Sequence, residues 1–158
     1  MNLYFAYGSN LKPARMRARV PSSVFVARAR VPAGRLSLDK RGNDGSGKAN
    51  LARTGGDGVW GVVYRIDGEH WERMDAAEPG YDRVPVDLVT EMGEALTAHT
   101  YVARILTDSP VPFDWYKRFL VEGAREHALP AQWIATLEEL PEKPDPRNRG
   151  RRPDRGPI

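Results

Sequence analysis

Glu78 is the residue of this 158-residue chain whose placement packing alone explains least well. A helical pattern that begins near Asp67 sets Trp71, Met74, Asp75 and Glu78 on one face, and Trp71 and Met74 mark it as the face meant for the core. A carboxylate on that stripe loses water, and its usual response is a raised pKa, to which Asp75 three residues back adds. An ordinary glutamate titrates near ~4.3, whereas a general acid/base for neutral pH works best at about 6 to 7. Such a shift makes Glu78 a candidate proton carrier. On pattern alone, a glutamate fraying outward at the helix end or pairing with Arg83 is equally admissible.

The second candidate is the opening stretch, Tyr4, Phe5, Ala6, Tyr7, Gly8, Ser9, Asn10 and Leu11. An apolar, aromatic run stops at a glycine, and two capping-type residues then lead into a helical pattern. A strand that feeds a helix across a tight turn leaves backbone N–H groups without internal partners, which makes it a seat for a carboxylate or another anion. Ser9 has no base visible in the sequence, so capping or ligand contact fits it better than nucleophilic attack. The three histidines, His70, His99 and His127, are scattered without metal-ligand spacing, and they read as surface or half-buried residues. The segment from Gly42 to Ala49 imitates a phosphate-binding loop. However, the residue after Lys48 is alanine where a Mg²⁺-binding Ser or Thr is needed, and no helix follows, so it reads as a surface loop.

Several elements must position these groups. Residues 3–7 show no alternation, as expected of a strand buried on both faces. Ser9 or Asn10 can cap a helix running to about residue 20, with Pro13 in its first turn and Arg15, Arg17 and Arg19 facing water. Residues 24–31 alternate, with Phe25, Ala27, Ala29 and Val31 on one side and Arg28 and Arg30 on the other. Shorter strands are expected at 36–39 and after Ala49, and residues 59–66 give a strong central strand in which Gly61 marks a bulge or a close backbone approach. A helix over 68–78 ends at Pro79 and Gly80, a hairpin joins strands 84–89 and 96–103, and two helices starting at Asp114 and Pro130 pack on the sheet. This pattern predicts an α+β domain built on a curled, mainly antiparallel sheet.

Composition narrows the function classes. The 41% hydrophobic and 28% charged content is that of a globular domain, and no apolar run approaches the roughly 18 residues of a membrane span. The absence of cysteine excludes disulfides and thiolate chemistry, and with no secretory pattern at the start a cytoplasmic location is expected. The formal charge of +3 resides in residues 141–158, where six basic residues outnumber three acidic ones. That Pro-, Arg- and Gly-rich stretch is expected to be a disordered or loosely draped tail after a domain spanning 1–140, so nucleic acid is an unlikely partner. An arm of this kind would bind nucleic acid in a salt-sensitive way lost on deleting the tail.

Taken together, the opening octet and Glu78 resemble the gamma-glutamylcyclotransferase family. The similarity extends over most of the chain, through residues 59–64, the stretch from Met74 to Glu78, the run Thr100, Tyr101 and Val102, and the helix bearing Tyr116, Lys117 and Arg118. The resemblance implies a small mixed, mainly antiparallel β-barrel flanked by helices, which releases 5-oxoproline from a γ-glutamyl amide without metal or cofactor. It also implies Glu78 as general acid/base and Tyr4, Phe5, Ala6, Tyr7, Gly8, Ser9, Asn10 and Tyr101 as substrate-binding residues. The partner is then a small γ-glutamyl molecule, with a homodimer left open. Glutathione is disfavoured because glutathione-specific relatives usually lack the asparagine found here at position 10. One departure stands out: Glu78 is followed by Pro79 and Gly80, with Tyr81 early, which shortens a loop on the leaving-group side. The competing reading is a non-catalytic binding or interaction module that retains the pocket, but a binder of an anionic ligand gains nothing from a buried carboxylate.

Overall fold

Five strands close into a barrel in the order β1 (Leu3–Ala6), β5 (Val59–Arg65), β2 (Val24–Val31), β6 (Tyr81–Thr90) and β7 (Ala95–Ala103). In the computed structural model, which describes residues 2–148, β1 lies between β5 and β7. The pairing of β1 with β7, at Tyr4 and His99, is parallel, and the other barrel neighbours, including β2 and β6, are antiparallel. The unalternating start of the chain is explained by burial on both sides, since Tyr4, Phe5 and Ala6 are all buried. Gly61 is required where β5 crosses β1, because a Cβ there would collide with the Ala6 carbonyl oxygen. A separate hairpin, β3 (Arg35–Arg41) and β4 (Gly47–Ala52), is tied to the barrel by Asn50, whose Oδ1 accepts the Ala103 N–H at 3.0 Å.

The sequence pattern and the structure differ in β2. A bulge between Phe25 and Ala27 breaks the alternation, so Ala29 and Val31 are buried as expected while Phe25 is 44% exposed. The expected continuous helix after β1 is also divided. A single 3-10 turn, Ser9–Leu11, precedes α1 (Pro13–Arg19), and neither Ser9 nor Asn10 caps it with a side chain, because both side chains are engaged elsewhere.

Leu11 and Met16 anchor this segment in the core. The longest helix, α3 (Asp114–Glu126), presses directly on the opening turn, so closely that a Cβ on Gly123 would strike the Leu11 backbone. The main neighbour of α4 (Ala131–Glu138) is α3 rather than the sheet. Between β5 and β6, α2 (Trp71–Ala77) buries Trp71 and Met74 and stops one residue before Glu78. No helix among the described residues is long and apolar enough to cross a membrane.

Beyond residue 140, the end expected for the domain, residues 141–148 return to the start of α3: Phe113 and Lys143 form an isolated β-bridge, and the buried Asp145 carboxylate accepts the Trp115 indole N–H at 3.0 Å. A buried indole N–H needs an acceptor, and here the first part of the supposed tail supplies it. The remainder of that tail, 149–158, lies outside the described residues.

Candidate active site

Glu78 occupies the C-terminal cap position of α2 with non-helical backbone angles (φ −123°, ψ 59°), which release it from the helix and turn its carboxylate inward. The side chain is only 15% exposed. Its Oε1 accepts hydrogen bonds from Asn10 Nδ2 at 2.9 Å and Arg19 Nη1 at 3.1 Å, and the same Arg19 nitrogen donates to Asn10 Oδ1 at 2.9 Å. Asn10, Arg19 and Glu78 thus form a closed triangle that fixes the carboxylate. Asn10 Nδ2 also donates to the Tyr4 hydroxyl at 2.9 Å. Burial pushes the Glu78 pKa up, and the nearby Arg19 and Arg15 guanidinium groups, the Asn10 hydrogen bond and Lys40 pull it back without cancelling the rise.

Arg83 is not the partner of Glu78. It lies 3.7 Å from Asp75, whose carboxylate also accepts the Tyr101 hydroxyl at 2.7 Å, so Asp75 is engaged there. Nor do the three arginines of α1 all face water; only Arg17 does. Arg15 and Arg19 stand one helical turn apart on the inner face, where Arg19 reaches Glu78 and the buried Arg15 donates through Nε to Ser9 Oγ at 3.1 Å. The i, i+4 spacing next to buried Met16 was the available signal for both.

Two cavities meet at Glu78. The smaller, a narrow chamber, is walled by Tyr4, Tyr7, Gly8, Ser9, Asn10 and Tyr101. Of the substrate-binding residues expected from the sequence, Phe5 and Ala6 do not line it; both are fully buried core residues. Tyr81 and Tyr116 complete the wall and were not anticipated as site residues. Both are held on β4 by Ala49, whose carbonyl accepts the Tyr81 hydroxyl at 2.6 Å and whose N–H donates to the Tyr116 hydroxyl at 2.9 Å. Burial raises the pKa values of Tyr4, Tyr7, Tyr81, Tyr101 and Tyr116, so the chamber presents neutral phenols.

The larger cavity, an open cleft, shares Ser9, Glu78, Tyr81 and Tyr116 with the chamber. Its walls carry Arg15, Arg19, Lys40 and Lys48 against Asp44 and Glu78. The phosphate-loop lookalike is therefore more than a bystander surface loop: Gly42, Asn43, Asp44 and Lys48 form one side of this cleft. Its turn is built around Asp44, whose carboxylate accepts from the Ser46 N–H and hydroxyl and from Lys48 Nζ at 3.1 Å. Asp67, Glu69 and His70 bring one potential ligand atom each within 4.8 Å of one another, a grouping that spacing alone did not reveal. Both acids are exposed, and His70 Nδ1 is engaged by the Ser22 hydroxyl at 2.6 Å.

Residues 58–137 match the AIG2-like family. Gamma-glutamylcyclotransferase from Homo sapiens is 31% identical over 147 residues, which cover 87% of this chain and 78% of the human protein. The Bos taurus enzyme of the same name is 32% identical over 151 residues, with the same coverage. A solved gamma-glutamyl cyclotransferase structure superposes with a TM-score of 0.84 at 29% identity, covering 89% of this chain and 88% of that one. The chain therefore belongs to the AIG2-like family, and within it to the gamma-glutamylcyclotransferase enzymes.

Proposed function

We propose that the protein is a cytoplasmic cyclotransferase that releases 5-oxoproline from a γ-glutamyl amide, with Glu78 as its general acid/base and no metal or cofactor. The observation that carries this reading is the position of Glu78: a buried carboxylate with raised proton affinity, held by Asn10 and Arg19, at the junction of two cavities. The glutamyl group occupies the tyrosine-walled chamber. Its α-carboxylate faces the turn at Gly8, where, among the described residues, the hydrogen bonds of the turn begin with the Leu11 N–H and leave the preceding N–H groups for an anion.

The chemistry follows from that placement. Glu78 takes a proton from the α-amine of the substrate, whose nitrogen attacks the γ-carbonyl carbon and closes a five-membered ring. The tetrahedral intermediate collapses by breaking the bond to the leaving nitrogen, and Glu78 returns the proton to that nitrogen, so its own state is unchanged over the cycle. Ring closure within one molecule makes orientation the main source of rate, and a rigid seat suffices without a protein nucleophile. Incubation with a panel of γ-glutamyl dipeptides and amines, with 5-oxoproline as the readout, tests this. Turnover is expected for the wild type and a loss of at least about a hundredfold for Glu78→Gln. No product from any substrate overturns the activity, and an active Glu78→Gln overturns the role of the residue.

A further inference from the structure

Lys40 is a buried cation that the proposed chemistry leaves unused. It sits on β3 at 6% exposure, with its Nζ 5.0 Å above the Tyr81 ring and facing the open cleft. Among the described residues no carboxylate lies within ion-pair distance of that ammonium, in contrast to its neighbours in the cleft, where Arg19 pairs with Glu78 and Lys48 with Asp44, each at 3.1 Å. Burial lowers the pKa of Lys40, and the more distant Glu78 and Asp44 carboxylates offset this only in part. Such a charge costs folding free energy unless an anion arrives to complete it.

The loop on the leaving-group side makes room for this lysine. Gly80 adopts φ +81°, and a Cβ there would lie 3.0 Å from Lys40 Cε and 3.2 Å from Nζ. The short turn through Glu78, Pro79 and Gly80 therefore both releases the carboxylate and lets the ammonium cross the glycine toward the cleft. Four cations against two carboxylates leave the walls of the cleft with an excess of two positive charges. One leaving-group carboxylate offsets half of that excess, and a cationic amine worsens it.

We propose that Lys40 is the anion receptor for the leaving group, and that the preferred substrates are γ-glutamyl dipeptides whose second residue is itself acidic, such as γ-glutamyl-glutamate and γ-glutamyl-aspartate. This rests on the cyclotransferase reading, which places the leaving group in the cleft beyond Glu78. The two carboxylates of the departing amino acid match the excess charge, and a neutral amine leaves Lys40 unpaired.

The test compares kcat/KM for γ-glutamyl-glutamate, γ-glutamyl-alanine and γ-glutamyl-butylamine in the wild type, Lys40→Met and Lys40→Arg. In the wild type the acidic dipeptide is expected to exceed the alkylamine by roughly tenfold or more, with alanine between them. Methionine keeps the packing over Tyr81 without the charge, so in Lys40→Met the ranking should collapse toward parity, mainly through KM, and arginine should restore it. A wild-type enzyme that turns over all three alike, or prefers the alkylamine, overturns the inference and leaves the cyclotransferase reading standing. An equal loss on every substrate in Lys40→Met overturns it too, since that is the mark of a merely structural lysine. Absence of 5-oxoproline from every substrate overturns both.

Discussion

Arg19 and burial act on Glu78 in opposite directions, and their balance sets the pH at which the carboxylate can accept a proton. Because burial prevails, the acid limb of the kcat/KM profile should lie above the ordinary glutamate value of about 4.3. Arg19→Gln removes the strongest interaction favouring the ionised form, so that limb should move to higher pH; an unmoved limb would show that Arg19 does not tune the base. The same imbalance has a stability consequence. Between the unfolded value and the raised folded one, the native state holds a proton that the unfolded chain has lost, so stability falls as pH rises through that window. Urea titrations at a series of pH values should show this slope in the wild type and its absence in Glu78→Gln. Glu78 was legible in the sequence because a carboxylate interrupts an apolar stripe. Arg19 was not, because a run of alternate arginines reads as a solvated face until the helix turn separates 15 and 19 from 17.

The opening turn holds its shape because α3 lies across it. Leu11 is fully buried beneath Gly123, and the turn carries both Asn10 and Ser9. Gly123→Val should therefore push the turn away, lowering stability by about 1–3 kcal/mol and activity by roughly a hundredfold; thermal melts and 5-oxoproline release measure the two. Normal activity in a folded Gly123→Val protein would mean that α3 does not position the seat. Elements with strong local signals, β-propensity in β5 and helical periodicity in α3, were readable from the chain alone. The bulge in β2 was not, since register there is set by the partner strand β5 rather than by local pattern. The role of the Gly-rich turn was missed for a similar reason: its own residues exclude a phosphate loop, but the cleft it walls exists only once β3, α1 and the Glu78 turn are brought together.

At the scale of the whole molecule, residues beyond 140 take part in the core: a chain ending at Leu140 loses Asp145 and leaves the Trp115 indole N–H without its acceptor. Asp145→Ala isolates that loss, expected at about 1–3 kcal/mol by chemical denaturation, and an unaltered midpoint would contradict it. Composition alone does not show how residues 141–148 attach, because backbone bonds at Lys143 and one buried carboxylate, not apolar content, hold them. The closed barrel came from the family resemblance, since hairpins are visible in sequence and the parallel meeting of β1 with β7 is not. That closure ties folding kinetics to function. Tyr4 meets His99, Asn10 meets Glu78, and Tyr116 reaches back to Ala49, so each wall of the chamber joins distant parts of the chain. Loops of such length must close before any local fragment is rewarded, which slows folding. A growing polypeptide on the ribosome should therefore gain activity only after the last strand and the helix after it have emerged, because the first strand of the chamber waits for both.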